Sequence, residues 1–423
     1  MIKKLFGKKF VKDNLILFIG TLIVNIFGFL FHFYMGRSLG PEHYGALGAA
    51  LSILYIMNIP LNTIQTGIAK FTSLYNMKKE YGKIKYIFKK SFKVLLLVGF
   101  IGLVIFNLAV PFIADFLGME ASTLIVLSSF LIVGLIVPIN RGILQGMQDF
   151  KGLSINLIGE GLVKFLVGVL LVVLGYGVNG AVGAIIASYV FVIVASLIPL
   201  RKVLAETPVK ADSKEVYEYT KPVLIMVSSL TLLYSLDIIL VKHFFNNIDA
   251  GYYSATSLIG KIIFFGSISI SQVMFPKTSE LYQQGEKHKH ILYKSLLVMV
   301  LIVIPGIIFY FLFPGFIVNL FYGGAYMPVA PLIGFFGIFI GLICFIYLIS
   351  FYNISVNRKG FLWVLMAFNV IEVIGLWIFH DSLIEVIKFL IITMLLLFLI
   401  LVINVILAKD GKDGKFINNN PGV

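Results

Sequence analysis

Lys261 stands about eleven residues into an apolar stretch that runs from roughly residue 250 to 275. At the rise of a helix that is about 16 Å, near the centre of a bilayer if the stretch spans one. A charge at that depth costs about 2.5–3.5 kcal/mol on insertion scales. It therefore calls for water, an acid or an anionic ligand. A phosphate suits it, because Lys binds phosphate as a point charge. The plainer partner is Asp237, one apolar run earlier, in a structural ion pair. Asp237 and Glu372 are also acids inside apolar runs. Either could take up a proton or hold Na⁺, which is the chemistry of coupling to an ion gradient. Glu372 has no basic residue on its own helix and is the better candidate; a hydrogen-bonded structural acid is the alternative.

Neutral polar residues recur at helical spacing. Thr21, Asn25, Gly28 and His32 share one face of a first helix, and Asn58, Asn62, Gln65 and Thr66 share one face of a second, which Pro60 should kink. Ser228, Thr231 and Ser235, then Ser254 and Ser257, repeat the pattern later in the chain. Amides and hydroxyls are the hydrogen-bond partners a sugar needs. The same side chains also hold membrane helices together. Arg37 and Lys242 sit at the ends of apolar runs, where they would meet a phosphate, close a gate or snorkel as anchors. Glu160 and Lys164, four apart, read as a local structural ion pair. The single cysteine, Cys344, lies in an apolar run and reads as a small core residue.

The elements that carry these residues follow from composition. The chain has 423 residues, of which 59% are hydrophobic and 13% charged. A soluble domain is about 45–50% apolar and about 25% charged, so a soluble fold is excluded. Apolar stretches of about 20 residues fall at roughly 14–36, 45–69, 94–117, 122–144, 154–175, 179–200, 222–242, 250–275, 295–314, 328–353, 361–379 and 383–408. Twelve spans place 29 of the 34 Lys and Arg residues on one side of the membrane. Arg141 and Lys151, in the loop after the fourth span, are among the 29. By the positive-inside rule that side is cytoplasmic and holds both termini, which makes a multi-pass cell-membrane protein. The net charge of +14 is thereby explained without nucleic acid. The basic segment 1–13 is expected on the membrane surface, not as a cleaved leader, because the apolar run behind it is long enough to span. The outer connections, each about 5–15 residues, read as bare loops.

The second half echoes the first. A shift of about 206 residues lays Gly45 on Gly251 and Thr72-Ser73 on Thr278-Ser279, and brings Arg37 next to Lys242. The expected organisation is an N-terminal six-helix lobe at 14–200, a charged cytoplasmic linker at 201–221, a C-terminal lobe at 222–408 and a cytoplasmic tail at 409–423. Six is even, so the repeat is parallel, and a substrate would sit between the lobes.

The residues Arg37-Ser38-Leu39-Gly40-Pro41-Glu42-His43-Tyr44-Gly45 resemble the R-x-L-G-P-E-x-Y-G junction of Wzx-type polysaccharide flippases. Gln145-Gly146 before Lys151-Gly152, and Phe275-Pro276 before Ser279 and Leu281, are similar to two further stretches of that family. The chain thus resembles the polysaccharide branch of the multidrug/oligosaccharidyl-lipid/polysaccharide exporter superfamily. The resemblance implies an all-α membrane fold of twelve helices in two lobes, V-shaped around a central cavity that opens to one side and then the other. It implies a polyprenyl-(di)phosphate-linked oligosaccharide as substrate, no cofactor beyond a coupling H⁺ or Na⁺, and a monomer working with membrane lipids. Glycosyltransferases or a polymerase of the same pathway are the expected partners. Lys261, Asn25, His32, Asn58, Asn62, Gln65 and Arg37 are the expected substrate contacts, and Glu372 and Asp237 the ion-coupling groups. A cation-coupled multidrug exporter is the rival reading. A membrane glycosyltransferase or polymerase is disfavoured, because the outer loops carry few acids and no nucleotide loop is present.

Overall fold

The structure, a computed structural model, describes residues 8–211 and 216–407. Every regular element among these residues is helical. Eleven helical stretches are long and apolar enough to cross a bilayer. The first of them, Ile19–Met77, is two spans, because its helix breaks at Gly40 with φ 69° and ψ 173°. That conformation is open in practice to glycine alone, and Pro41 behind it is preset for the first turn of a new helix. The Gly-Pro pair of the junction motif is therefore the break itself, and the long apolar helices among the described residues number twelve. They are α1 (8–39), α2 (41–77), α3 (Tyr81–Leu117), α4 (Ala121–Gly146), α5 (Phe150–Val173), α6 (Gly177–Ala205), α7 (Pro222–Phe244), α8 (Asn247–Gln283), α9 (Lys289–Leu312), α10 (Ala330–Ser355), α11 (Phe361–Ile378) and α12 (Leu383–Leu407). A turn at Ser129 interrupts α4, and another at 233–235 interrupts α7.

Several helices overrun the apolar stretches that predict them. α3 starts at Tyr81 and not near 94, and α8 runs to Gln283 and not 275. Each has 37 residues, about 55 Å of helix against a hydrocarbon core of about 30 Å. Hydropathy marks only the part that lies in hydrocarbon. Backbone hydrogen bonding continues into the lysine-bearing ends. The connection between α9 and α10 departs further from expectation. In place of a bare loop it forms a short helix, Pro314–Phe321, and a 3-10 turn, Gly324–Val329.

The chain divides into two compact units. Unit 1 comprises Met1–Ala255 with Gly315–Val329, and unit 2 comprises Thr256–Pro314 with Ala330–Val423. Residues 1–7, 212–215 and 408–423 lie outside the described residues. They take with them half of the expected interfacial segment, part of the linker and the tail.

Unit 1 has a buried cluster that includes Ile68, Tyr75, Ile84, Ile139, Leu144, Leu200 and Ala211. The start of the expected linker is docked against it. Val209 donates its backbone N–H to Gly82 at 3.0 Å, and Lys85 Nζ reaches the carbonyl of Leu204 at 2.6 Å. Where α2 crosses the start of α8, the backbones touch. A Cβ on Gly45 would lie 2.7 Å from the nitrogen of Gly251, and one on Gly251 would run into the carbonyl oxygen of Pro41. Gly48 meets Ser254 in the same way. Both pairs are spaced by the shift of about 206 read in the sequence.

In unit 2, α10 is the buried centre, through Ile333, Phe336, Phe339, Ile340 and Ile343. Gly334, Gly337 and Gly341 admit Phe311, Tyr310 and Ile307 of α9. Outward faces remain apolar: Leu301 is 65% exposed and Leu407 75%. In water such surfaces would aggregate; in a bilayer they are the lipid contact.

Candidate functional site

Within unit 2 the site candidates lie deep. Lys261, midway along α8, is only 2% exposed, and its neighbour Gly260 has no room for a side chain because Phe336 fills it. Ser257, one turn before Lys261, is fully buried. Glu372 on α11 is fully buried one turn from Asn369, whose amide bonds back to the carbonyl of Leu365 at 2.9 Å. Cys344 is a core residue, as expected, in contact with Ser267 Oγ at 3.2 Å.

Within unit 1, Asp237 opens the helical segment that resumes after the α7 break. It is fully buried and accepts a 2.9 Å hydrogen bond from the Tyr253 hydroxyl. The stripes on α1 and α2 sort into different environments. Asn25 is exposed. His32 Nδ1 lies 3.3 Å from the Tyr44 hydroxyl. Asn58 donates to the carbonyl of Leu54 at 2.8 Å and faces the Tyr189 hydroxyl at 3.5 Å. Gln65 donates to Gln145 at 3.1 Å. The side chain of Asn62 lies outside the described residues.

Arg37 is exposed and works as a cap. Its Nη2 donates to the carbonyls of Asn319 and Leu320, both at 3.0 Å, while its guanidinium covers the Phe33 ring at 4.4 Å. Those carbonyls end the short helix Pro314–Phe321, where a cation satisfies unpaired acceptors and the negative end of the dipole. Around this cap the Tyr44 and Tyr322 hydroxyls meet at 3.0 Å, and the Tyr326 hydroxyl donates to the carbonyl of Gly36 at 2.9 Å. Residues 315–329 are thus strapped across the junction of α1 and α2. Burial pushes the Tyr322 hydroxyl well above the usual phenol range, so it stays protonated and able to bond.

Two sequence readings change. Lys242 is not a snorkelling anchor: it is 3% exposed, and its Nζ bonds Asn247 at 2.6 Å and the carbonyl of Gly118 at 3.3 Å. It ties the α3–α4 turn to the α7–α8 turn. Glu160 takes Arg141 as its ion-pair partner, and Lys164 lies over the Phe31 ring at 5.4 Å. Sequence reasoning counted Arg141 with the loop after the fourth span, although that span was drawn to 144; the residue lies inside α4. Tyr44, though part of the junction motif, was not read as a partner of the α1 stripe, and Tyr189 carried no signal, because the spacing of neither marks a face.

Comparison with known proteins places this geometry. Residues 34–331 match the family model described as polysaccharide biosynthesis protein. An uncharacterized membrane protein of Methanocaldococcus jannaschii is 26% identical over 291 residues, which covers 64% of this chain and 68% of that one. Among solved structures, the inward-facing form of a multidrug resistance MATE family transporter of the MOP superfamily is similar with a TM-score of 0.74, at 14% identity over 90% of this chain and 94% of that one. The MATE multidrug transporter DinF-BH is similar with a TM-score of 0.69, at 17% identity over 96% of each chain. At these identities the solved structures establish the fold: an all-α, multi-pass membrane protein of the MATE type.

Proposed function

Because this chain belongs to the polysaccharide biosynthesis protein family, we propose that it is a flippase for a polyprenyl-(di)phosphate-linked oligosaccharide. It carries that lipid from the cytoplasmic to the outer leaflet of the cell membrane by alternating access between two six-helix lobes that enclose a cavity in a V. Both termini are cytoplasmic, the protein acts as a monomer and it performs no chemistry of its own. The observation that carries the reading is Lys261. A cation 2% exposed in the middle of an apolar helix is a costly feature to keep, and a phosphate that must cross the bilayer is a reason to keep it. The amides of α1 and α2 supply neutral partners for sugar hydroxyls. Glu372, or Asp237, couples the step to a H⁺ or Na⁺ gradient.

The test is flipping in reconstituted liposomes, read as protection of the glycan from an external degrading enzyme. Wild type should protect a lipid-linked oligosaccharide. Lys261→Ala should slow flipping by about tenfold or more, the equivalent of one charge-assisted contact of about 1.5–3 kcal/mol. The two buried acids, Asp237 and Glu372, also suit a multidrug exporter. Export of small organic cations by wild type, with lipid-linked sugars left unmoved, would establish that reading and sink the flippase.

A further inference from the structure

α4 and α5 of unit 1 hold a charged cluster, and its Lys164 lies against the α1 stripe: a Cβ on Gly28 would stand 3.8 Å from Lys164 Nζ. Arg141 lies five residues before the end of α4, about 8 Å along the helix. Its Nε donates to Asn156 Oδ1 at 2.8 Å, and its Nη2 donates to Glu160. Asn156 is held from behind, donating to the carbonyl of Val192 at 2.8 Å. Its oxygen is thereby fixed toward the guanidinium. Arg141 and Glu160 are little exposed, with 11% and 17% of their side chains accessible.

Asn156, Glu160 and Lys164 follow at spacings of four and share one face of α5. Among the described residues no carboxylate stands within ion-pair distance of Lys164. Glu160 is also the one acid in the sequences of α4, α5 and α6. The cluster therefore carries two cations and one anion. An uncompensated positive charge beside hydrocarbon is expensive. Glu160 sits between the two cations, one turn from Lys164 and bonded to Arg141. That is where an incoming anion would gain most. An Arg fork with a Lys nearby is a recurrent phosphate-binding set, the first for paired bonds and the second as a point charge.

We propose that Arg141 and Lys164 form a phosphate site within unit 1, and that Glu160 is a built-in anion which an arriving phosphate displaces. The ligand class is a lipid phosphate, which rests on the flippase reading. Arg141, nearest the lysine-rich end of the helices, meets the headgroup first, and Lys164 takes it deeper. The carboxylate keeps the site closed to weak anions, since a ligand has to outcompete it for the guanidinium.

The experiment measures binding of polyprenyl monophosphate to the full-length protein in nanodiscs of neutral lipid, with neutral polyprenol as control and inorganic phosphate as competitor. Lys164→Gln should weaken binding by about tenfold or more, the cost of one charged contact. Glu160→Gln should tighten it several-fold, because the competing anion is gone. Arg141→Gln/Glu160→Gln, which removes both partners and leaves no orphaned charge, should bind at least about tenfold more weakly than Glu160→Gln alone. Thermal unfolding of each variant confirms that it is folded. A structural ion pair makes the opposite forecast: folded Glu160→Gln gains no affinity and Lys164→Gln loses none, and that result overturns the site. Competition by inorganic phosphate would mean that the site takes the phosphate group from either source. Absence of competition would tie the site to the lipid. Wild-type flipping with unaltered binding in Lys164→Gln sinks this site and leaves the flippase standing. The Glu160→Gln gain without any wild-type flipping does the reverse.

Discussion

Arg37 shows how one side chain can hold a segment far away in sequence. It supplies two donors to the last carbonyls of Pro314–Phe321, and charge-assisted bonds to otherwise unpaired acceptors are worth about 1.5–3 kcal/mol when sheltered and less when, as here, the residue is exposed. Arg37→Met keeps the stem over Phe33 and removes both donors. Labelling by maleimide of a cysteine placed at the buried Val318 should then rise severalfold, against low background from the buried Cys344. Unchanged labelling would mean that the tyrosines hold the strap without Arg37. At this scale the charged anomalies were legible: Lys261, Asp237 and Glu372 stand out because an apolar run makes any charge conspicuous, and all three are buried. Their surroundings were not legible. Tyr44 bonds Tyr322 across 278 positions, and no local pattern announces a partner so distant. Arg141 was misjudged for a related reason. It lies near a helix end, where a buried cation and a loop cation look alike in sequence.

Glycine carries much of the information about the elements. Gly40 marks the break between α1 and α2 because its φ of 69° with ψ of 173° excludes a side chain. Gly45 and Gly251 mark a crossing where backbones touch. A methyl group at 251 meets a backbone carbonyl and not the flexible end of a side chain, so the helices have to separate. Gly251→Ala should destabilise by about 3 kcal/mol or more, as overpacking against rigid structure does. Gly266 in the same helix has open space around it. Gly266→Ala should be neutral, or should stabilise by about 0.5–1 kcal/mol through helix propensity. Fluorescence-detected gel filtration after a heat step checks the pair, and equal melting of both variants would refute the close crossing. The spacing between these glycines was readable as a repeat. That the two positions touch was not, since a shift in sequence says nothing about distance. The ends of α3 and α8 were missed because hydropathy reports the solvent around a helix and not where its hydrogen bonds stop.

For the whole molecule, twelve spans and the lysine distribution give an orientation that can be checked. A cysteine at Lys78, in the α2–α3 turn, should react with an impermeant maleimide only from the cytoplasmic side. One at Tyr176, which is 60% exposed in the α5–α6 turn, should react only from outside. The opposite pattern, or reaction from the same side, would overturn the topology. Fold class and span number were legible because a bilayer allows few solutions to backbone hydrogen bonding. The division into units was not, because the segment Gly315–Val329 leaves its chain neighbours and joins unit 1. That segment also bears on how the protein is made. Arg37 and Tyr44 leave the ribosome 282 and 278 residues ahead of their partners in the strap that covers them. Through the synthesis of seven further helices, the junction of α1 and α2 waits with Gly36, Tyr44 and Arg37 unsatisfied by their final partners. The first unit cannot finish folding as it is made, contrary to the usual N-terminal-first order. A nascent chain halted before Pro314 should therefore be more open to protease at the α1–α2 junction than the finished protein is.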